Sequence, residues 1–414
     1  MGYANHVFDG RLESPWGPAQ SSCVDVELAI VGGGPAGLAT ALFLRELAPD
    51  LARGTVLLER ARYPREKICA GAVAGRALSL LRTVDALPDV PHVEVRGLLL
   101  RTRYGESRAE SDEVAGWVVR RVEFDAALAR LAASRGLSIL TGAKVSSLVT
   151  SDAGVVLSTE DGRTVKARCV VGADGVGSFV RRSVGLGAPA VRAQAVELDV
   201  ARPPSAPGGT LTFSLEDGAL KGYAWDFPTP LGGAVCSSRG LYEVTRVDAP
   251  GEVAIAPRAI DLGERLARMT HGEVVVLPTR RFAERGVLPG APLGRGPVLL
   301  VGEAAGIDPV LGEGIAQAIE YGFFAARVLM LASRRGRYVF DGLGVRDAVG
   351  RLALDLGVRS RATEIVWGAS RGLTERAISG NDALARAGLS YFAGARVRGG
   401  DLLGAVTRGM SRVL

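Results

Sequence analysis

The chain has 414 residues, 47% of them hydrophobic and 23% charged, and a net charge of +6. This is the profile of a folded globular protein of about two domains, which excludes a disordered or collagen-like chain. The arginines are dispersed, with no basic run of five or more, which argues against a nucleic-acid partner and leaves an anionic ligand or a membrane face as the use of the positive surface.

Taken in chain order, residues 1–22 are polar and punctuated by Gly and Pro, a flexible tail without the apolar core of a signal peptide. The run from Val24 to Val31 reads as a buried strand, Pro35 to about Leu47 as a helix and Gly54–Glu59 as a second strand, together one βαβ unit. A helix is expected over 73–82, strands over 94–103 and 115–120, a helix over 122–135 and further strands through 143–172. Between 190 and 290 the character changes. Alternating segments at Gln194–Val200, Thr210–Leu215, Tyr223–Phe227 and Ala234–Ser238 predict a mainly antiparallel sheet with one helix near 252–270. Val298–Val301 is a buried strand before a glycine-rich turn and a helix from about Gly314 to Ala332, and the remaining residues are helical and rich in arginine.

The four cysteines, Cys23, Cys69, Cys169 and Cys236, are scattered without a CxxC pair, so neither a zinc site nor a disulfide framework is expected, and the compartment reads as reducing, hence cytoplasmic. No uncharged apolar stretch of about 18 residues is evident, so no span of a bilayer is expected.

Gly32, Gly34 and Gly37 form a G-x-G-x-x-G pattern that includes Pro35 and Ala36. A tight turn, close approach of backbone to a pyrophosphate and close helix–strand packing all require absent side chains at those places. The helix that follows offers free N–H groups to phosphates. Glu59, 22 residues past Gly37 and followed by Arg60, stands where a carboxylate accepts from ribose hydroxyls. A second motif is Gly172-Ala173-Asp174-Gly175, followed by Ser178 and the pair Arg181-Arg182. Asp174 suits either the linker of a dinucleotide or a helix cap, and both readings stay open. A third runs from Leu299 through Gly302, Glu303 and Gly306 to Asp308, Pro309, Gly312, Gly314 and Ile315, where a strand-end carboxylate precedes the N-terminus of a helix.

These three motifs in this order resemble the glutathione-reductase-type flavoproteins, and within them the group of aromatic hydroxylases, flavin-dependent halogenases and geranylgeranyl reductases. The resemblance covers roughly residues 24–335 and implies FAD as cofactor. It also implies an α/β fold in which a Rossmann-like FAD-binding domain (23–189 and 291–335) is interleaved with an antiparallel-sheet α+β substrate domain (190–290), plus a helical C-terminal region (336–414). Arg121 matches the family arginine that contacts the cofactor, with a solvated arginine at a helix start as the plainer reading. Glu303 departs from the aspartate usual there.

Two further segments narrow the family. Pro64-x-x-Lys67-x-Cys69-x-Gly71 is similar to the flavin-side segment of geranylgeranyl reductases, and Tyr223-x-Trp225-x-Phe227-Pro228 looks like their substrate-cavity motif. The resemblance implies catalytic roles for Lys67, Cys69, Tyr223 and Trp225, and substrate contacts for Tyr223, Trp225, Phe227 and Pro228. An ordinary core strand and a buried thiol are the plainer alternatives. Further proton donors in these motifs are Asp226, Glu303 and Asp308. The reaction implied is reduction of a double bond in a prenyl or similar apolar substrate. A monooxygenase (hydroxylase rather than halogenase) and a non-catalytic prenyl carrier are the alternatives. No second G-x-G-x-x-G unit is present, so electrons are expected from NAD(P)H bound in a cleft or from a separate donor protein, with peripheral membrane contact a further expectation for a lipid substrate.

Overall fold

The structure, a computed structural model, describes residues 23–186, 191–246, 262–287, 290–341, 343–368 and 371–395. The tail at 1–22, most of the helix expected near 252–270 and residues 396–414 lie outside them.

The strand Cys23–Val31 ends in four wholly buried residues and lies between two parallel neighbours, Thr55–Glu59 and Thr164–Gly172. A strand buried on both faces reads as a continuous apolar run rather than an alternation, which is why Leu28-Ala-Ile-Val31 is apolar throughout. The sheet runs in the order Gly294–Arg295, Val298–Leu300, Thr164–Gly172, Cys23–Val31, Thr55–Glu59, Ser138–Thr141. A meander of Val145–Ser151 and Gly154–Thr159 extends antiparallel from Thr164–Gly172. The helix Pro35–Leu47 packs against both Arg121–Ser134 and Ile315–Arg334. Gly322 permits the latter contact, since a Cβ there would lie 2.6 Å from Ala39 Cβ. Ile315–Arg334 is long and apolar enough to cross a membrane by length and composition, although it carries Glu320 and Arg327, and 56% of its apolar window is buried, as in the core helix of a folded domain.

The second sheet has the order Val275–Arg285, Val191–Ala201, Ala234–Arg246, Gly222–Leu231, Thr210–Ser214, Gly97–Thr102, Gly105–Glu110. Its strands are antiparallel except where Thr210–Ser214 pairs parallel with Gly97–Thr102. The segment at 94–103, expected among the strands of the nucleotide-binding part, thus joins the substrate-side sheet. Local alternation identifies a strand but says nothing about a partner so distant in the chain. A small sheet of Ala72–Ala74, Gly116–Val119 and His92–Val95 lies beside it, and Gly116–Val119 touches Gly222–Leu231. The helix expected over 73–82 starts at Gly75, after that short strand. Three C-terminal helices, Leu343–Trp367 (broken at Gly350), Arg371–Ile378 and Asp382–Ala393, follow, the last two against Gly97–Thr102.

Candidate cofactor and substrate site

The three glycine-rich motifs meet at the ends of the parallel strands. Gly32 has φ +110°, and a Cβ on it would lie 2.3 Å from the carbonyl oxygen of Ala173. A Cβ on Gly37 would lie 2.0 Å from Gly32 O, and one on Gly302 (φ +58°) 2.7 Å from Ala36 Cβ. Gly34 is different: the nearest atom to its virtual Cβ is Arg65 Nη2 at 3.8 Å, so the space before the helix is open. That helix begins at Pro35 with no side-chain cap, which leaves its first N–H groups for an anion.

Glu59 is buried beside this opening. Its Oε2 accepts from Gly33 N at 2.7 Å and its Oε1 from Ala61 N at 2.9 Å. Arg65, 3.5 Å from the same carboxylate, and the Tyr63 hydroxyl both donate to Gly33 O. Arg60 is exposed. Asp174 supports the helix cap, which is Ser178: Oδ1 accepts from Ser178 Oγ at 2.5 Å and Oδ2 from Val180 N at 3.0 Å, while Ser178 Oγ accepts from Arg181 N. Its neighbour Gly175 (φ +80°) faces Glu303, whose Oε2 is 3.8 Å from the virtual Cβ. The second and third motifs therefore share one space.

The loop from Asp308 to Gly314 is held from several sides. Asp308 is buried, accepts from Val310 N at 2.8 Å and Leu311 N at 3.3 Å, and pairs with Arg359. Three successive carbonyls each accept from an aromatic donor: Pro309 O from the Tyr242 hydroxyl at 3.3 Å, Val310 O from Trp367 Nε1 at 3.0 Å, and Leu311 O from the Tyr223 hydroxyl. Gly312 needs its φ of +66° and its missing Cβ, which would lie 2.5 Å from Glu284 Oε2. The helix from Ile315 starts at Gly314 without a side-chain cap.

Arg121 is buried and bidentate to Asp125, at 2.7 and 2.8 Å, so the plainer solvated reading is set aside. Cys69 is partly buried, and its Sγ accepts from Gly71 N at 3.4 Å. Burial pushes its thiol pKa up, against the pull of Arg121. Lys67 is partly buried, and its charge opposes the rise in pKa that burial imposes on Glu303. Tyr223, Trp225 and Phe227 share one face of their strand and belong to one apolar cluster with Tyr242, Leu211 and Trp367. Pro228 falls on the other face. Tyr223 stacks on Tyr242 (5.1 Å, 26°) and on Trp367 (6.1 Å, 29°). Asp226 is turned away into ion pairs with Arg202 and Arg239.

Several residues here escaped sequence reasoning. Asp125 had a signal, four residues after Arg121 on a helix. Arg65 stands at an unassigned position of the Pro64–Gly71 segment, and Tyr63 directly precedes it. Glu284 and Glu197, lone acids in alternating strands, had none. Burial pushes Glu284 well above the usual carboxylate range, with Glu303 adding to it and Lys67 opposing. Burial likewise lifts Glu197 to about 7, although Arg280 stands 3.2 Å away.

The residues present fit FAD. A side-chain-free cradle and two uncapped helix N-termini face the place of a diphosphate and a flavin ring, with Glu59 and Glu303 at the two ends. Among the described residues no group of three His, Cys, Asp or Glu is placed to hold a metal. A sequence profile described as an FAD binding domain matches residues 25–210. A menaquinone reductase of Mycobacterium tuberculosis is 30% identical over 349 residues, which cover 75% of this chain and 81% of that protein. A digeranylgeranylglycerophospholipid reductase of Methanothrix thermoacetophila is 28% identical over 77% of this chain and 81% of its own length. A solved geranylgeranyl bacteriochlorophyll reductase-like protein from Thermoplasma acidophilum superposes with a TM-score of 0.67 at 19% identity, covering 95% of this chain and 100% of that one, a likeness of fold alone.

Proposed function

Because the chain belongs to the geranylgeranyl reductase-like family of FAD-dependent oxidoreductases, we propose that it reduces a carbon–carbon double bond in a prenyl or similar apolar substrate. The observation that carries this reading is the meeting of the Lys67–Cys69 segment with the aromatic face of Tyr223, Trp225 and Phe227. Cys69 adds to the rise in pKa that burial imposes on the Tyr223 hydroxyl.

FAD, when bound and reduced, supplies the hydride. The protein's own residues do the rest. The Gly32–Gly37 turn and the N-terminus of the helix at Pro35 hold the diphosphate, Glu59 the adenosine ribose, and Glu303 the ribityl chain. Arg121, fixed by Asp125, keeps its orientation beside Cys69. The aromatic face takes an apolar chain, excludes water, and supplies rate by orienting the double bond. Lys67 and Cys69 line the same space. The electron source is NAD(P)H or a donor protein, the scattered free cysteines suit a cytoplasmic setting, and a lipid substrate calls for contact with a membrane face.

The same fold hosts oxygen-using chemistry, so the reaction itself must be tested. Enzyme reduced anaerobically with dithionite should be reoxidised by a geranylgeranyl lipid, and the lipid should lose one double bond by mass spectrometry. Reoxidation by oxygen alone, with the lipid intact, would sink the reading. Stoichiometric oxygen uptake in the presence of substrate would make the protein a monooxygenase instead.

A further inference from the structure

The reduction proposed above needs a proton as well as a hydride, and most acids near the cavity are already engaged. The hydroxyls of Tyr223 and Tyr242 donate to Leu311 O and Pro309 O. Asp308 is saturated by Arg359 and two backbone N–H groups. Glu197 and Asp199 ion-pair with Arg280, although each keeps one buried oxygen without a hydrogen-bond partner, and Glu313 ion-pairs with Arg76.

Glu284 is different. It lies near the end of the strand Val275–Arg285, opposite Ala193 in register and two residues before Gly286, which bridges to Ile307. This carries its carboxylate into the angle between the Gly312 turn and the Tyr242 ring, where Gly312 has no room for a side chain. Its Oε2 is buried without a hydrogen-bond partner, and among the described residues no arginine or lysine lies within ion-pair distance. The groups that interact electrostatically with it are Lys67 and Cys69 from the flavin-side segment, Tyr223 and Tyr242 from the aromatic sheet, and Glu303 and Asp308 from the strand-end loop. An uncompensated carboxylate in such a place is costly to ionise, so burial, with Glu303 and Asp308 adding to it, pushes the group well above the usual carboxylate range.

We propose that Glu284 is the general acid of the reaction and delivers its proton to the alkene carbon that does not receive the hydride. This assignment rests on the reading of the protein as a double-bond reductase. The alkene accepts a hydride from reduced FAD at one carbon, and its π pair takes the proton of Glu284 at the other. Two C–H bonds form, while the π bond, the Glu284 O–H bond and the N–H bond of the reduced cofactor that carries the hydride break; the cofactor is left oxidised, and the carboxylate regains its proton from water. Glu303 and Asp308 raise the affinity of Glu284 for that proton, and Lys67 lowers it.

The test compares FAD-loaded wild type with Glu284→Gln and Glu284→Asp under anaerobic rapid mixing with a geranylgeranyl lipid. A titration with FAD and the visible spectrum check that each variant still holds its cofactor. Glu284→Gln should slow reoxidation by about 100-fold or more, and it should abolish the fall in rate that wild type shows as pH rises through the titration of this acid. Glu284→Asp, with the acid withdrawn by one methylene, should be slowed but keep the pH-dependent limb, and it serves if the glutamine variant does not fold. Independently of turnover, wild type at neutral pH should show an infrared band of a protonated carboxyl that is missing from Glu284→Gln. Wild-type rates in either variant, or an infrared band unchanged by the substitution, would overturn the role of Glu284 alone. A wild-type enzyme that leaves the lipid untouched would overturn the double-bond reading and the reaction assigned to Glu284 with it.

Discussion

Glu59 accepts from two backbone N–H groups and faces the opening in front of the helix at Pro35. A hydrogen bond from a ribose hydroxyl to this charged group would contribute about 1.5–3 kcal/mol, so Glu59→Ala should weaken FAD binding by roughly 10–100-fold, with a separate loss of stability from the two backbone bonds. A fluorescence titration of the apoprotein measures this, and an unchanged Kd would mean that the ribose is held elsewhere. Gly37 allows no such gradation: with a Cβ 2.0 Å from Gly32 O, Gly37→Val should yield a colourless protein that FAD does not reconstitute. Glu197 makes a different kind of prediction. It is 1% exposed, and burial lifts its carboxyl from the ordinary 4.5 to about 7. Between those values the folded protein keeps a proton that the unfolded chain has released, so the stability it contributes is full below about pH 4.5 and is lost as pH rises toward about 7. The loss is at most about 3 kcal/mol. Urea denaturation of Glu197→Gln should lack this decline, and no difference in slope between variant and wild type would refute it.

At the scale of the elements, the hairpin of Gly222–Leu231 and Ala234–Arg246 shows how register shapes the cavity wall. Trp225 stands opposite Gly240, and a Cβ on Gly240 would fall 2.1 Å from the indole. Gly240→Ala should therefore cost about 1–3 kcal/mol and lower kcat/KM for an apolar substrate more than it lowers FAD binding. Denaturation and steady-state kinetics read the two effects, and a neutral outcome would mean that both the indole and the Val196 carbonyl, 2.4 Å from the same Cβ, give way. The aromatic alternation at Tyr223, Trp225 and Phe227 was legible because side chains alternate faces along any strand. Its dependence on Gly240 was not, since only pairing brings the two together. The unit from Cys23 to Glu59 was equally legible, being local: strand, glycine turn, helix and strand follow directly. Gly97–Thr102 was readable as a strand but not as a member of the second sheet, because its parallel partner is Thr210–Ser214. Glu284 illustrates the same limit within the site. A lone acid on a half-exposed alternating strand resembles any solvated residue until Gly312 is folded against it.

Over the whole molecule, the chain leaves the parallel sheet to build the antiparallel one and returns to it at Val298–Leu300. The helix Ile315–Arg334 then packs on Pro35–Leu47, on Gly75–Arg82 and on the helix Leu343–Trp367. Tyr391 lies between the guanidinium groups of Arg76 (4.8 Å) and Arg359 (4.7 Å), and Arg76 and Arg359 reach Glu313 and Asp308. The C-terminal helices are thereby tied to the loop from Asp308 to Gly314. Such interleaving leaves neither sheet able to unfold alone. Calorimetry should show one transition that moves upward as FAD is added, whereas two transitions, only one of them sensitive to FAD, would separate the sheets energetically.

The three carbonyls of Pro309, Val310 and Leu311 are each held by a ring of the aromatic wall, through Tyr242, Trp367 and Tyr223. The aromatic wall is therefore hinged to the backbone that leads into the N-terminus of the helix Ile315–Arg334. Whatever displaces Tyr223 or Trp367 must tug on that backbone, and under the function proposed above it would change the electrostatic surroundings of the flavin ring. Occupancy of the pocket thus becomes an optical signal: a ligand that never reacts should still shift the flavin absorption bands, and Tyr223→Phe, which cuts one of the three tethers, should blunt the shift.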